Sequence, residues 1–189
     1  MTILWIVLAV LVLLLIWVVA AYNGFVTFKN RADEAWADID VQLKRRYDLI
    51  PNLVNTVKGY ATHESGTLEA VTAARTAAMS ALSGGATLAD KEAAENNLSG
   101  ALKSVFALSE AYPDLKANQN FLSLQAELSD TENKIQAARR FYNGNVRDYN
   151  TSLQVFPGNL ISKAFGFSPK ELFQLGADDA AKNAVEVKF

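Results

Sequence analysis

Hydrophobic positions follow two regimes along this chain. From Ile3 to Tyr22 they are continuous, twenty apolar residues without a charge, and from Lys29 onward they recur every three or four positions among polar residues. At the helical rise the first run is about 30 Å long, the thickness of a bilayer's hydrocarbon core, so it predicts a transmembrane helix contacting lipid over residues 3–22. Trp5 and Tyr22, near its two ends, are expected as aromatic anchors at the two interfaces. A cleaved signal peptide is the competing reading, with Val19-Ala20-Ala21 as a passable cleavage site. Against it, no basic side chain precedes the run, which is longer than the roughly 7–15 residues such a peptide uses. Residues 1–28 are therefore expected to stay as an anchor.

Beyond the anchor the spacing predicts helices. Trp36, Ile39, Leu43, Ile50, Leu53, Val54, Val57 and Ala61 lie on one face of a first helix. Pro51 falls inside it, removing one hydrogen bond and crowding the carbonyl of Tyr47. The stripe keeps its phase, so a kinked helix is expected rather than two, with Asn23-Gly24 as a second place for a bend. Leu68, Val71, Ala74, Ala78 and Leu82 mark a second helix that stops at Ser83-Gly84-Gly85. Thr87 with Asp90 resembles a capping box opening a third, lined by Leu98, Leu102, Val105, Leu108 and Tyr112 as far as Pro113. A fourth carries Phe121, Leu124, Leu128, Ile135, Ala138, Tyr142, Tyr149, Leu153 and Phe156 in a coiled-coil-like rhythm, ending at Pro157-Gly158-Asn159. Leu160 to Leu175 reads as an aromatic element with a helical turn or two around Pro169, and residues 176–189 as a loose tail.

Lengths constrain the architecture. The first and fourth soluble helices are about 50 and 55 Å long, so the expected fold is all-α: a transmembrane helix followed by an antiparallel up-down four-helix bundle over residues 29–158. The aromatic element, residues 159–175, then starts beside the membrane or a neighbouring subunit, with Phe165, Phe167, Leu172 and Phe173 as candidate contacts. In that pairing, residues of the two long helices stand at equal height when their numbers sum to about 181. Arg45 and Arg46 then approach Glu132 and Asn133, and Asp40 approaches Arg139 and Arg140. With Asp48 these form a candidate polar network, read first as ion pairs that set helix register.

Composition narrows the function. With 18 basic and 20 acidic residues the net charge is −2, which gives no basic footprint for nucleic acid. The absence of cysteine excludes disulfides, thiol catalysis and cysteine metal sites. His63 is the only histidine, so His63-Glu64 lacks the second imidazole of a zinc helix and no serine has a ready base. Ser83-Gly84-Gly85 has no phosphate-loop lysine. The pair Asp38 and Asp40 points to different helix faces, while Asp178 and Asp179 lie in the tail. No catalytic residue, metal or cofactor is expected.

The stretch Gln42-Leu43-Lys44-Arg45-Arg46-Tyr47-Asp48-Leu49-Ile50-Pro51-Asn52-Leu53-Val54 closely resembles the signature of the LemA family. Val57-Lys58-Gly59-Tyr60-Ala61, His63-Glu64 and Arg75 match its continuation. Tyr112 to Asn118, Asn120-Phe121, Thr131 to Ile135, Ala138 to Asn143, Tyr149-Asn150 and Phe156-Pro157 match the rest, so that the likeness covers roughly residues 22–173. The resemblance implies a bacterial membrane protein with one N-terminal span, a short outside N-terminus and an antiparallel four-helix domain. It implies no enzymatic activity and offers no catalytic residues to carry over.

These readings converge on a non-enzymatic, membrane-anchored bundle acting through protein contacts, a homo-oligomeric scaffold. Lys29 and Arg31 follow the span and nothing basic but the α-amino group precedes it, so the positive-inside rule puts the domain in the cytoplasm, a periplasmic or extracellular domain being the alternative. One rival is a ligand-binding or enzymatic bundle with its site among Arg45, Arg46, Asp48, Glu132 and Arg139. Another is a membrane-remodelling or lipid-sensing protein that uses the C-terminal aromatics.

Overall fold

The computed structural model describes residues 1–174, and no strand occurs among the described residues. The expected tail, residues 176–189, lies outside them, as does Leu175. Six helices follow one another: α1 (Thr2–Lys58), α2 (Ser65–Ser83), α3 (Leu88–Leu108), the one-turn α4 (Pro113–Lys116), α5 (Gln119–Gln154) and α6 (Gly158–Ala164). A 3-10 turn, Ser109–Ala111, joins α3 to α4, so the expected fourth helix is α5. Among the described residues only α1 is long and apolar enough to cross a membrane, and its apolar window is unburied. It runs on without interruption through Asn23-Gly24 and through Pro51. Tertiary contacts divide the described chain into two compact units, residues 1–39 with 137–172, and residues 40–136 with Phe173 and Gln174.

In the first unit, one face of α1 buries Phe25, Ala32, Ala35 and Ile39, while α5 buries Tyr142, Val146, Tyr149 and Leu153. These are the three-four spacings of a helix face turned to a core. Trp36 and Tyr142 meet edge to face with ring centroids 5.4 Å apart. The helix after Pro157 is earlier than the spacing predicts. α6 occupies residues 158–164, and the chain around Pro169 has no regular structure, since a proline restricts its predecessor to extended backbone.

In the second unit, Leu43, Tyr47, Ile50, Leu53 and Val57 of α1 share a core with Leu68, Val71 and Ala74 of α2, Leu98, Leu102 and Val105 of α3, and Phe121, Leu128 and Ile135 of α5. α2 packs on α3. The Thr87 side chain accepts from the Asp90 amide while Asp90 accepts from the Thr87 amide, the reciprocal cap expected at the start of α3. Gly85, at φ +68°, makes the turn before it.

Pro51 leaves a vacancy that another helix fills. Lacking an N–H, it cannot bond the Tyr47 carbonyl one turn back, and the Arg75 Nε of α2 donates to that carbonyl at 2.7 Å instead. An interior proline is thereby tolerated without an orphaned acceptor. Arg75→Met is expected to cost about 1.5–3 kcal/mol, the usual range for a hydrogen bond from a charged donor. The same substitution in a Pro51→Ala background should cost clearly less, because the alanine amide can serve the Tyr47 carbonyl. Equal costs in both backgrounds, measured by thermal unfolding of the full chain, would show that Arg75 does not compensate for the proline.

Candidate functional site

Two helices of the second unit place a charged side chain in the core, and a third brings one to its edge. Arg46 follows Leu43 by three residues and precedes Ile50 by four, so the α1 stripe drives it inward, and it is only 1% exposed. On α3 the row Leu98, Leu102, Val105, extended back by three, lands on Glu95, which is 2% exposed. On α5, Glu132 stands beside the buried Thr131, between Leu128 and Ile135, and remains partly open to solvent.

The arginine joins them. Its Nη2 donates to Glu95, and its Nη1 donates to Glu132 at 2.7 Å and to the Ser99 hydroxyl at 3.2 Å. The Tyr47 hydroxyl donates to the other oxygen of Glu95, so that carboxylate is held from both sides. A carboxylate this deep requires such partners, because an unpaired buried charge is far too costly. The Nε of Arg46 and the Oε1 of Gln42 are buried without a hydrogen bond, an opposing cost on the order of 1–3 kcal/mol each.

Burial raises the pKa of Tyr47, and the negative charge and hydrogen bond of Glu95 raise it further, with Arg46 opposing in part. The neutral phenol is thus favoured in the folded state. A raised pKa contributes stability that is complete below the unfolded value of about 10 and is lost as pH rises toward the folded value. The unfolding midpoint should therefore hold up to about pH 10 and fall above it. The fall should be shallower in Tyr47→Phe, and identical pH profiles for the two proteins would refute the assignment.

Of the residues singled out in the sequence, Arg46 and Glu132 come together here. Arg45, Asp48, Asn133 and Arg140 are exposed, and Arg139 is partly buried. Asp40 pairs with Lys44 one turn along α1 at 3.3 Å. Two members of the buried cluster, Glu95 and Ser99, are absent from the expected network, which drew on the first and fourth soluble helices alone. The available signal was a charge standing in the apolar row of α3. A cleft of about 460 Å³ is lined by Asp40, Lys44, Tyr47, Arg75, Met79 and Ser83. Among the described residues no group of three or more His, Cys, Asp or Glu is arranged to hold a metal ion.

A second polar arrangement lies in the first unit. The Tyr149 hydroxyl donates to the Ser168 carbonyl and the Tyr142 hydroxyl to the Glu171 carbonyl, each at 3.0 Å. Asn150 bonds Lys170 twice, donating from Nδ2 to its carbonyl at 2.8 Å and accepting from its amide at 2.9 Å. The Lys170 ammonium reaches Asp33 at 2.6 Å. Three side chains of α5 thus hold an irregular segment of chain, residues 168–171, by its backbone, as a strap. Burial first, then the Asp33 charge, raises the pKa of both tyrosines and keeps their hydroxyls as donors.

The strap leads to a correction. Phe173, expected among the exposed contact residues, is fully buried in the second unit, where the Gln174 amide also donates to Glu92 of α3. Phe165 and Leu172 are exposed and Phe167 is half-buried. Trp5 and Tyr22, the expected interface anchors, are both exposed.

Comparison with known proteins places the chain in a family. The chain is 24% identical over 175 residues to Magnetosome protein MamQ 1 of Paramagnetospirillum magneticum, an alignment covering 81% of this chain and 64% of that protein. MamQ of Magnetospirillum gryphiswaldense is 24% identical over 174 residues, with 80% and 64% covered. Protein LemA of Metamycoplasma hominis is 26% identical over 152 residues, with 80% and 68% covered. The chain therefore spans about 64% of the length of the MamQ relatives. The LemA family model matches residues 35–189, a range that holds Arg46 and its two glutamates, the Pro51 and Arg75 pair and the α5 residues that grip the strap, and by that match the chain belongs to the LemA family.

Proposed function

We propose that this LemA-family protein is a non-enzymatic, single-pass membrane protein whose helical domain acts through protein contacts, as a homo-oligomeric scaffold. The observation that carries the reading is the use made of its interior polar groups. Arg46 is taken up by Glu95 and Glu132, and Tyr142, Tyr149 and Asn150 by the strap, so these groups specify the fold rather than present chemistry to a substrate. The MamQ relatives are named as magnetosome proteins. One apolar helix at the N-terminus supports a membrane anchor, and confinement to a bilayer raises the effective concentration for lateral contacts.

The proposed domain is an antiparallel four-helix bundle built from α1, α2, α3 and α5. In its support, Arg46 of α1 meets Glu132 of α5, and Tyr60, two residues past the end of α1, meets Asn118, just before α5, so fourteen residues forward on one side correspond to fourteen back on the other. The proposed setting is the bacterial inner membrane with the N-terminus outside and the domain cytoplasmic, in keeping with Lys29 and Arg31 after the span. Light scattering coupled to size exclusion, on the full chain in mild detergent, tests the scaffold. A defined mass several times the 20.6 kDa protomer is expected. A monomer at all concentrations would rule out self-assembly.

A further inference from the structure

The geometry points to α6 as an interfacial membrane element: beside the transmembrane helix, α6 and its flanking turns insert apolar side chains into the same leaflet the span leaves. The inference rests on reading Ile3 to Tyr22 as the span, and its partner is a lipid surface.

α6 is seated on the last turns of that apolar run. Ile161 packs in a cluster with Phe25, Tyr149 and Leu153, and Val18, Ala21 and Phe167 close around it. Val18 lies a full turn inside the apolar run, about 6 Å before Tyr22 along the helix. At the two ends of α6 the contacts are equally close. A Cβ on Gly158 would stand 3.2 Å from the Phe25 ring, so glycine permits the approach. The Phe165 and Phe167 rings meet Tyr22 edge to face at 5.1 and 5.5 Å. The residue expected to anchor the span at the interface is therefore part of the same aromatic group as α6.

The outward side of this element is apolar. Phe156 is 79% exposed, Leu160 61% and Phe165 55%, and Val155 is exposed as well. Leu160 and the buried Ile161 are successive residues of α6, so one side of the helix enters the core while the adjacent side does not. A cluster of large apolar side chains in water is unusual on a soluble protein, but it is the composition of an amphipathic segment lying about 5–10 Å into the headgroup boundary. Its level on α1 supplies the occupant, since the exposed Phe165 touches Tyr22 at the end of the span. Lys163, exposed on α6, suits a headgroup neighbour because its ammonium can stay in the polar layer while its stem lies on apolar surface.

The absence of cysteine makes the test direct. Single variants Leu160→Cys and Phe165→Cys, with Leu11→Cys in the span and Ser129→Cys on α5, carry an environment-sensitive fluorophore in the full chain reconstituted in phosphatidylcholine vesicles. Labels at 160 and 165 are expected to be quenched about threefold more by nitroxide on lipid chains near the headgroup than by aqueous iodide, with blue-shifted emission. The Ser129→Cys label should show the reverse preference. Iodide quenching at 160 and 165 equal to that at 129 overturns the proposal. So does shielding from both quenchers, which would mean that a second copy covers the patch. If the label at position 11 also fails to meet lipid, the span reading itself is wrong and the proposal falls with it. Lipid contact at 11 without lipid contact at 160 and 165 removes α6 alone.

Discussion

Arg46→Met is expected to destabilise the protein by about 3–5 kcal/mol, the range for removing one partner of a buried ion pair. The reason lies in what is left behind. Glu95, almost inaccessible to water, would keep only the Tyr47 hydroxyl as partner, and its carboxylate would stand without a countercharge in a packed core. Glu132 should contribute less to the loss, being partly solvated already. The double variant Arg46→Met with Glu95→Leu is expected to recover most of the cost, since apolar replacement of a whole buried pair is often neutral or stabilising. Thermal unfolding of the full chain in mild detergent, followed by helical circular dichroism, measures all three proteins. A single-variant cost under about 1 kcal/mol would mean that the arginine is not what makes the buried carboxylate tolerable.

Phe173→Ala should have an effect of similar size, about 3–5 kcal/mol for truncating a fully buried phenylalanine. The location of the effect distinguishes it from an ordinary core defect. Phe173 ends a strap otherwise held by polar contacts, mainly hydrogen bonds to α5 with an ion pair to Asp33 and a bond to Glu92, each hydrogen bond contributing only about 0.5–1.5 kcal/mol net. Without the ring those bonds should open easily, and the amides of Lys170 and Gln174, which bond Asn150 and Glu92, should lose their protection from hydrogen exchange first. A variant that keeps both amides protected while its midpoint falls would place the ring in the general core and leave the strap independent of it.

The strap also marks the boundary of what sequence reasoning reached. Helix existence and inward faces were legible because helices advertise themselves by period. The rows through Leu43 and Leu53, through Val71 and Ala78, and through Leu128 and Ile135 all point inward as their spacing requires. The cap at Thr87 was legible because its two groups are three residues apart and the bond between them is local. Arg46 with Glu132 came from a uniform rise along two long helices, which is a matter of counting.

The remaining interactions depend on partners far apart in the chain. A charge in an apolar row shows that Glu95 turns inward, but its meeting with Arg46 depends on α3 lying against that face of α1, which no period encodes. Pro51 announces that the Tyr47 carbonyl has lost its donor, and the identity of the substitute, Arg75, follows only from the placement of α2. Tyr142, Tyr149 and Asn150 promise hydrogen bonds from their tips, yet their partners are backbone atoms of the strap, and backbone carbonyls carry no residue-specific signal. Periodicity along one helix states which side is buried and at what height. Which helix or loop meets that side is settled by packing between surfaces, where shape and the need to satisfy every buried polar group choose among neighbours that the one-dimensional pattern leaves equivalent.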